Sequence, residues 1–298
     1  MHVSNVRAGI DIDALTNELD ELCSHITPSE LVLRIYEMDK EHIQYVVEKY
    51  QRFVAQSEAY FDLLVKAIHH VNYVTKSGWP PHKLVQLLLI NHNIKPLLSG
   101  FDRLMKGYYE DSHILLRTPY EAFFRVIFIS LNPDDPYYSF APRKKGLKQF
   151  KLTNFVTQEL ELDWHHYRVM SSIAHANQFS AMTDFYKIVK EGQTEPITLT
   201  FGFDENMFSM CINQLGFLLL FYLRTVTLLF LAHGHQSADV EMIDNCRKYI
   251  SLYQKSFAAH INPHFRSLAK DVDDIFQMLE EVEAGYDWKE AWNRLRNC

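Results

Sequence analysis

Apolar positions recur with a helical period in the first quarter of the chain. Residues 29–77 contain no glycine or proline, and nine positions there follow one another in steps of four and three: Ile43, Val47, Tyr50, Val54, Ser57, Phe61, Leu64, Ile68 and Val71. Eight of the nine are apolar or aromatic, and this spacing places them on one face of a helix. The pattern predicts a long helix whose stripe packs within the chain or forms a seam with a second copy.

Proline and glycine separate this helix from the next ones. Gly78, Pro80 and Pro81 end it, and the pattern then predicts a helix over 82–105 with a kink at Pro96. Further helices are predicted over 109–131, with a kink or break at Pro119, and over 142–156, 159–177, 215–232, 238–260 and 263–283. The tail carries Trp288 and Trp292 one helical turn apart, and we expect it to pack on the body of the protein.

The sequence therefore predicts an all-α fold, an elongated helical bundle with at most one small β-hairpin. The hairpin is expected where residues 187–189 and 197–201 flank a turn sequence. Only 10 glycines and 10 prolines occur in 298 residues, so turns are scarce and the helices are long. We expect more than ~60% helix, well above the usual third.

Composition and charge narrow the class of protein. An apolar share of 47% and a charged share of 22% suit a globular chain with a sizeable core. The formal net charge of −7 does not indicate a nucleic-acid binder, so contact with RNA would need a local basic patch. Four scattered cysteines without a CxxC pair, and an N-terminus without an apolar signal region, predict a reduced cytoplasmic location.

One apolar stretch is long enough to be weighed as a membrane span. Residues 215–232 read LGFLLLFYLRTVTLLFLA, with Arg224 at the centre. A charge at mid-membrane costs about 2.5–3.5 kcal/mol on insertion scales, so we expect a core helix and no membrane association. Arg224 then needs a buried acid or carbonyl as its partner, and Glu121 is one candidate.

The chain contains no strong catalytic or nucleotide-binding motif. The phosphate-binding loop, the dinucleotide glycine pattern, the nucleophile elbow, the HExxH helix and the cysteine–histidine zinc patterns are all absent from the sequence. The 15 histidines include adjacent pairs, but adjacent residues do not share a helix face. We expect neither a metal site nor a cofactor.

The most informative segment is DWHHYRVMSSIAHAN. Arg168 and His175 are two helical turns apart, about 10 Å along the axis, and Ser171 and Ser172 lie between them. His165 precedes them by one turn. A solvated helix face usually collects Lys and Glu, and this stripe has neither. We therefore predict that it lines a cleft, with a plain solvated face as the alternative.

This segment resembles the Rx4-6H signature of HEPN domains, with Arg168 and His175 as its ends. The upstream sequence LLRTPYEAFFRVIFISLNP is similar to a helix of uncharacterised bacterial families of HEPN type. The resemblance extends over about 85–235, and it suggests a division into N-terminal helices (1–77), a HEPN-like core (78–235) and C-terminal helices packed on it (236–298).

The resemblance implies a metal-independent endoribonuclease of toxin or phage-defence type. In such enzymes two protomers bring two motifs to one cleft. His175 would act as general acid or base, Arg168 would bind the scissile phosphate, and Ser171 or Ser172 would orient it. The resemblance also implies RNA or a nucleotide as ligand, a homodimer and an antitoxin-type protein partner. The alternative is a non-catalytic HEPN-like module that binds nucleotide, RNA or protein.

Two further groups of charged residues could support this site. Arg143, Lys144, Lys145 and Lys148 form a basic patch that could bind an RNA backbone together with His165, or that could simply be a solvated helix. Arg117 and Glu121 are four residues apart, a spacing typical of a helical ion pair. The family resemblance includes an Arg and a Glu there, which would brace the motif helix.

Overall fold

A computed structural model describes residues 30–73, 79–134, 151–162, 203–232, 240–260 and 263–296, together with the single positions 17, 21 and 168. Helices account for 89% of this part of the chain, and no strand occurs in it. The all-α prediction is confirmed. The predicted hairpin and the basic patch Arg143, Lys144, Lys145 and Lys148 lie outside the described residues.

Nine helices occur in the described ranges. They are α1 (Glu30–Lys49), α2 (Gln51–Tyr73), α3 (Pro81–Met105), α4 (Tyr109–Leu131), α5 (Leu152–Asn154, continuing as a π-helix over Phe155–Glu159), α6 (Glu205–Val226, continuing as a π-helix over Thr227–Ala232), α7 (Val240–His260), α8 (Pro263–Glu283) and α9 (Trp288–Arg296).

The long N-terminal helix is interrupted once. A turn at Tyr50 separates α1 from α2, although the Tyr50 N–H still donates to the Val46 carbonyl at 2.8 Å. From Val54 onward the predicted stripe is buried. Before the turn it is shifted by one residue: Val46 is fully buried, whereas Val47 is 41% exposed. Val47 therefore does not pack within the chain, because the break at Tyr50 changes the helical phase, and a seam with a second copy stays a prediction.

Helices α3 and α4 form an antiparallel hairpin. The Gln86 side-chain amide, near the start of α3, donates to the Val126 carbonyl near the end of α4 at 3.0 Å. At the other end of the hairpin the Ser112 hydroxyl donates to the Gly100 carbonyl at 2.9 Å. A Cβ on Gly100 would lie 2.8 Å from the Leu116 side chain, so glycine permits this close approach. Neither helix is broken at its internal proline.

The core lies around α4 and α6. Phe123 of α4 stacks on Phe221 of α6, with ring centroids 4.4 Å apart, and Phe276 of α8 packs against both rings. Residues from Val46 to Trp292 belong to this one hydrophobic cluster. On α9, Trp292 is only 4% exposed, which confirms that the tail packs on the body.

Helix α6 is the one helix of the described ranges that is long and apolar enough to cross a membrane, over Glu205–Leu231. In its most apolar window 89% of the residues are buried inside the protein, which is the burial of a core helix. The helix begins ten residues before the predicted start at 215. The Asp204 carboxylate caps it by accepting from the Asn206 and Met207 N–H groups at 2.9 and 3.0 Å.

The region before the HEPN-like motif also differs from the prediction. Helices were expected over 142–156 and from 159 onward, with a gap between them. The backbone is instead helical up to Glu159 and non-helical at 160–162, where Glu161 has a φ of 53°. The π-helical hydrogen bond from the Leu160 N–H to the Phe155 carbonyl, 3.0 Å long, unwinds the helix end here.

Candidate functional site

Of the residues in the predicted polar stripe, the structure describes Arg168. This residue has helical backbone and an exposed side chain. His165, Ser171, Ser172 and His175 lie outside the described residues. A helical, exposed Arg168 agrees with the predicted helix through the motif, and the geometry of the stripe stays a prediction.

The supporting pair Arg117 and Glu121 forms as expected on α4. The Arg117 Nε–H donates to Glu121 Oε1 at 3.0 Å, and Arg125 Nη2 lies 3.5 Å from Glu121 Oε2. The Arg117 and Glu121 side chains are 24% and 21% exposed, and that of Arg125 is 50% exposed. Two guanidinium groups thus contact one carboxylate along one side of the helix. The planar guanidinium fork is well suited to bind a phosphate group.

One helical turn before Arg117, α4 carries a neutral polar side chain, that of His113. His113 is 2% exposed, and its Nδ1 hydrogen-bonds to Gln214 Oε1 of α6. Because an amide oxygen only accepts, Nδ1 carries the proton and the ring is the neutral Nδ1–H tautomer. Burial lowers the pKa of His113 to about 4. This histidine is therefore neutral at physiological pH and stabilises the packing of α4 against α6.

A second buried histidine was missed from the sequence. His42 of α1 donates from Nδ1 to the Met105 carbonyl at 2.8 Å, and its Nε2 accepts from the Tyr109 hydroxyl at 2.8 Å. It thus joins α1 to the end of α3 and the start of α4. Gly107 in the intervening turn has a φ of +82°, and a Cβ there would lie 2.8 Å from the His42 ring. Burial lowers the pKa of His42, so this ring too is held neutral.

The partner of Arg224 differs from the expectation. Its guanidinium pairs with Asp273 of α8 at 2.5 Å and lies over the Phe276 ring, 4.1 Å from the centroid. The suggestion that Glu121 fills this role was wrong, because Glu121 pairs with Arg117 and Arg125 on α4. The Arg224 side chain is 15% exposed and that of Asp273 is 59% exposed, so the pair lies at the edge of the core.

Metal-ligating and nucleophilic side chains do not gather in the described ranges. No group of three or more His, Cys, Asp or Glu residues there could hold a metal ion. Cys211 is completely buried, and this burial raises the pKa of its thiol well above the ordinary value. A thiol held protonated in this way is a poor nucleophile.

Comparison with known proteins gives no relative: no family model, no curated protein and no solved structure matches this chain. The resemblance to HEPN domains therefore rests on the sequence motif between Arg168 and His175 and on the segment around Arg117 and Glu121.

Proposed function

We propose that the protein is a metal-independent endoribonuclease of HEPN type. The observation that carries this proposal is the spacing from Arg168 to His175 within an all-α chain, with Arg168 exposed on helical backbone. An exposed arginine two helical turns from a histidine presents an anion-binding group and a titratable group on one face of a helix.

The proposed reaction uses the RNA's own 2′-hydroxyl as nucleophile. His175 takes the proton of this hydroxyl, and the 2′-oxygen attacks the adjacent phosphorus. The bond from phosphorus to the 5′-oxygen breaks, and the second motif of a dimer donates a proton to that oxygen. The products are a 2′,3′-cyclic phosphate and a 5′-hydroxyl. Arg168 binds the non-bridging phosphate oxygens, and Ser171 or Ser172 adds a hydrogen bond.

The cluster Arg117–Glu121–Arg125 supports this proposal from the described part of the chain. Glu121 holds the Arg117 guanidinium by a 3.0 Å hydrogen bond, so this side chain is ordered before any ligand arrives. In the proposed site Arg117 and Glu121 position the motif helix, and the half-exposed Arg125 guanidinium favours a nearby phosphate.

The proposal includes the partners that this reaction needs. RNA is the substrate, a second copy of the chain supplies the second motif, and an antitoxin-type protein would cover the cleft. Arg143, Lys144, Lys145, Lys148 and His165 would bind the RNA backbone. The reaction would take place in the cytoplasm.

The test is incubation of the purified protein with total RNA, with and without EDTA. We expect cleavage in both conditions and products that end in 2′,3′-cyclic phosphates. His175→Ala should abolish cleavage with a melting temperature close to that of the parent, and Arg168→Lys should strongly reduce it, since an ammonium cannot replace the planar fork. The matched control is His92→Ala, which changes an exposed histidine on α3.

A non-catalytic binding module is the second candidate, and Val169 favours it. HEPN ribonucleases commonly carry a polar residue directly after the motif arginine, whereas this chain has valine. RNA left intact by the parent in every condition, together with a destabilised His175→Ala variant, would replace the endoribonuclease proposal by this one.

A further inference from the structure

A groove of about 310 Å³ lies between the end of α5 and helix α9. It is lined by Glu159, Trp288, Lys289, Trp292 and Asn293. Its volume is at the lower end of the range for small-molecule sites. None of these lining residues belongs to the segment from Arg168 to His175 that resembles the HEPN motif.

The α5 side of the groove is shaped by irregular backbone. The π-helical turn ends α5 at Glu159, whose side chain is exposed. Two residues later Glu161 has a left-handed φ of 53°, a conformation that costs a residue with a side chain ~1 kcal/mol or more. Its carbonyl accepts from Arg296 Nη2 at 3.2 Å, which ties this segment to α9. π-helical turns and strained residues of this kind occur frequently at functional sites.

The α9 side is rigid before any ligand binds. Trp292 is buried, and the Arg296 guanidinium lies 5.1 Å from the centroid of its ring while pairing with Asp271 of α8 at 2.6 Å. The Asp287 carboxylate caps the start of α9 by accepting from the Lys289 and Glu290 N–H groups at 2.9 and 3.1 Å. Trp288, the more exposed of the two tryptophans, therefore sits on a fixed backbone.

Two opposite charges flank the half-buried Trp288 ring. Within the part of the chain that the structure covers, Glu159 takes part in no ion pair and no side-chain hydrogen bond. The Lys289 ammonium contacts the Trp288 ring, 5.5 Å from its centroid, and forms no ion pair with any described residue. The groove thus offers a hydrogen-bond acceptor, an aromatic surface and an exposed cation to one small ligand.

We propose that this groove binds a guanine nucleotide. Guanine presents two adjacent donors, N1–H and the N2 amino group, that match the two oxygens of a carboxylate such as Glu159. Adenine presents an unprotonated N1 at the same edge, which a carboxylate repels. The purine stacks on Trp288, and a phosphate group takes over the Lys289 ammonium from the ring. A cationic ligand is disfavoured because Lys289 and Arg296 already contact the two tryptophan rings.

This inference stands independently of the proposed RNA cleavage, since it uses none of the motif residues. Its test is a titration of the purified full-length protein with GMP and with AMP, in which binding is measured by tryptophan fluorescence and by calorimetry. We expect GMP to quench the tryptophan fluorescence saturably. AMP should bind at least about tenfold more weakly, because it lacks the bidentate contact that guanine makes with a carboxylate.

Variants of the groove sharpen the test. Trp288→Ala should lose the quenching, and Glu159→Gln should remove the preference for GMP over AMP. Lys289→Met should make GMP bind no better than guanosine. The matched controls are Glu290→Gln, an exposed acid outside the groove, and Tyr286→Ala, an exposed aromatic residue just before α9; both should bind GMP like the parent.

A second ligand identifies the source of the guanine base. Comparing the affinity for GMP with that for a short oligouridine containing a single guanosine shows whether the guanine comes from a free nucleotide or from RNA. Tight binding of either ligand supports the site. Absence of saturable binding of both, equal affinity for GMP and AMP, or an unchanged preference in Glu159→Gln would each overturn the proposal.

Discussion

His113 and Arg117 are one helical turn apart on α4, yet their surroundings treat polar groups in opposite ways. His113 is 2% exposed, neutral and bonded to Gln214 of the neighbouring helix. The Arg117 side chain is 24% exposed, charged and paired with Glu121 of its own helix. Residues four apart lie on the same face of a helix, so the difference comes from the depth of burial of two successive turns. The fully buried turn stabilises the fold with a neutral polar group, whereas the partly exposed next turn carries a paired charge.

The largest expected effect is that of pH on the free energy of unfolding. Burial lowers the pKa of His113 from 6.5 to about 4, so the unfolded chain takes up this proton at a higher pH than the folded protein does. The contribution of neutral His113 to the free energy of unfolding is fully present above pH 6.5 and is lost as the pH falls towards 4. The expected loss is ~3 kcal/mol from His113, and the lowered pKa of His42 adds to it.

Urea unfolding between pH 7.5 and 4 measures this effect. His113→Gln should show a shallower pH dependence than the parent, because its amide does not titrate. His92→Gln, at an exposed position, should follow the parent curve. An identical slope in His113→Gln would contradict the assignment of His113 as a buried neutral ring.

A pair of substitutions compares the buried and the partly exposed turn of α4 directly. His113→Ala leaves a cavity and an unpaired Gln214 oxygen in the core, so we expect it to lower the free energy of unfolding by about 2–3 kcal/mol. Arg117→Met removes a helical ion pair that is partly solvated, and we expect a loss below ~1 kcal/mol. Equal losses in the two variants, measured by chemical denaturation, would contradict the difference between the buried and the partly exposed turn.

Arg224 represents an intermediate case, because its guanidinium lies over Phe276 while its acidic partner is mostly exposed. Arg224→Met should therefore cost about 1–2 kcal/mol, which is less than the ~3 kcal/mol expected for a fully buried pair. Asp273→Asn should have a smaller effect than Arg224→Met, since the contact with the ring remains. Differential scanning calorimetry of both variants measures the order, and a larger loss in Asp273→Asn would contradict it.

The fold was largely readable from local signals. Helices α3 and α8 begin at Pro81 and Pro263 and end where the periodicity ends, since proline suits the first turn of a helix. The start of α6 was missed because the polar residues after Asp204 weaken the apolar pattern. The capping position of Asp204 itself was the signal that could have located it.

The contacts between distant elements were not readable. Asp273 meets Arg224 across 49 residues of sequence, and His42 meets Met105 across 63. These pairings depend on how helices cross, which one sequence does not specify. The Arg117–Glu121 pair was predictable because a spacing of four residues on one helix fixes it locally. The left-handed Glu161 and the π-helical end of α5 left no local sign, so the groove beside Trp288 emerged from the structure.

The central proposal is that the Arg117–Glu121–Arg125 cluster of α4 supports the proposed phosphate-cleaving site, whereas buried polar groups of the same helix, such as Ser112, support only the fold. The most direct measurement is the single-turnover rate of RNA cleavage in EDTA for Arg117→Lys and Ser112→Ala, each with its melting temperature. We predict that Arg117→Lys cleaves at least about tenfold more slowly at an unchanged melting temperature. Ser112→Ala, which loses the bond to Gly100, should cleave at the parent rate with a lower melting temperature. A parent protein that leaves RNA intact, or an Arg117→Lys variant that cleaves at the parent rate, would contradict the claim.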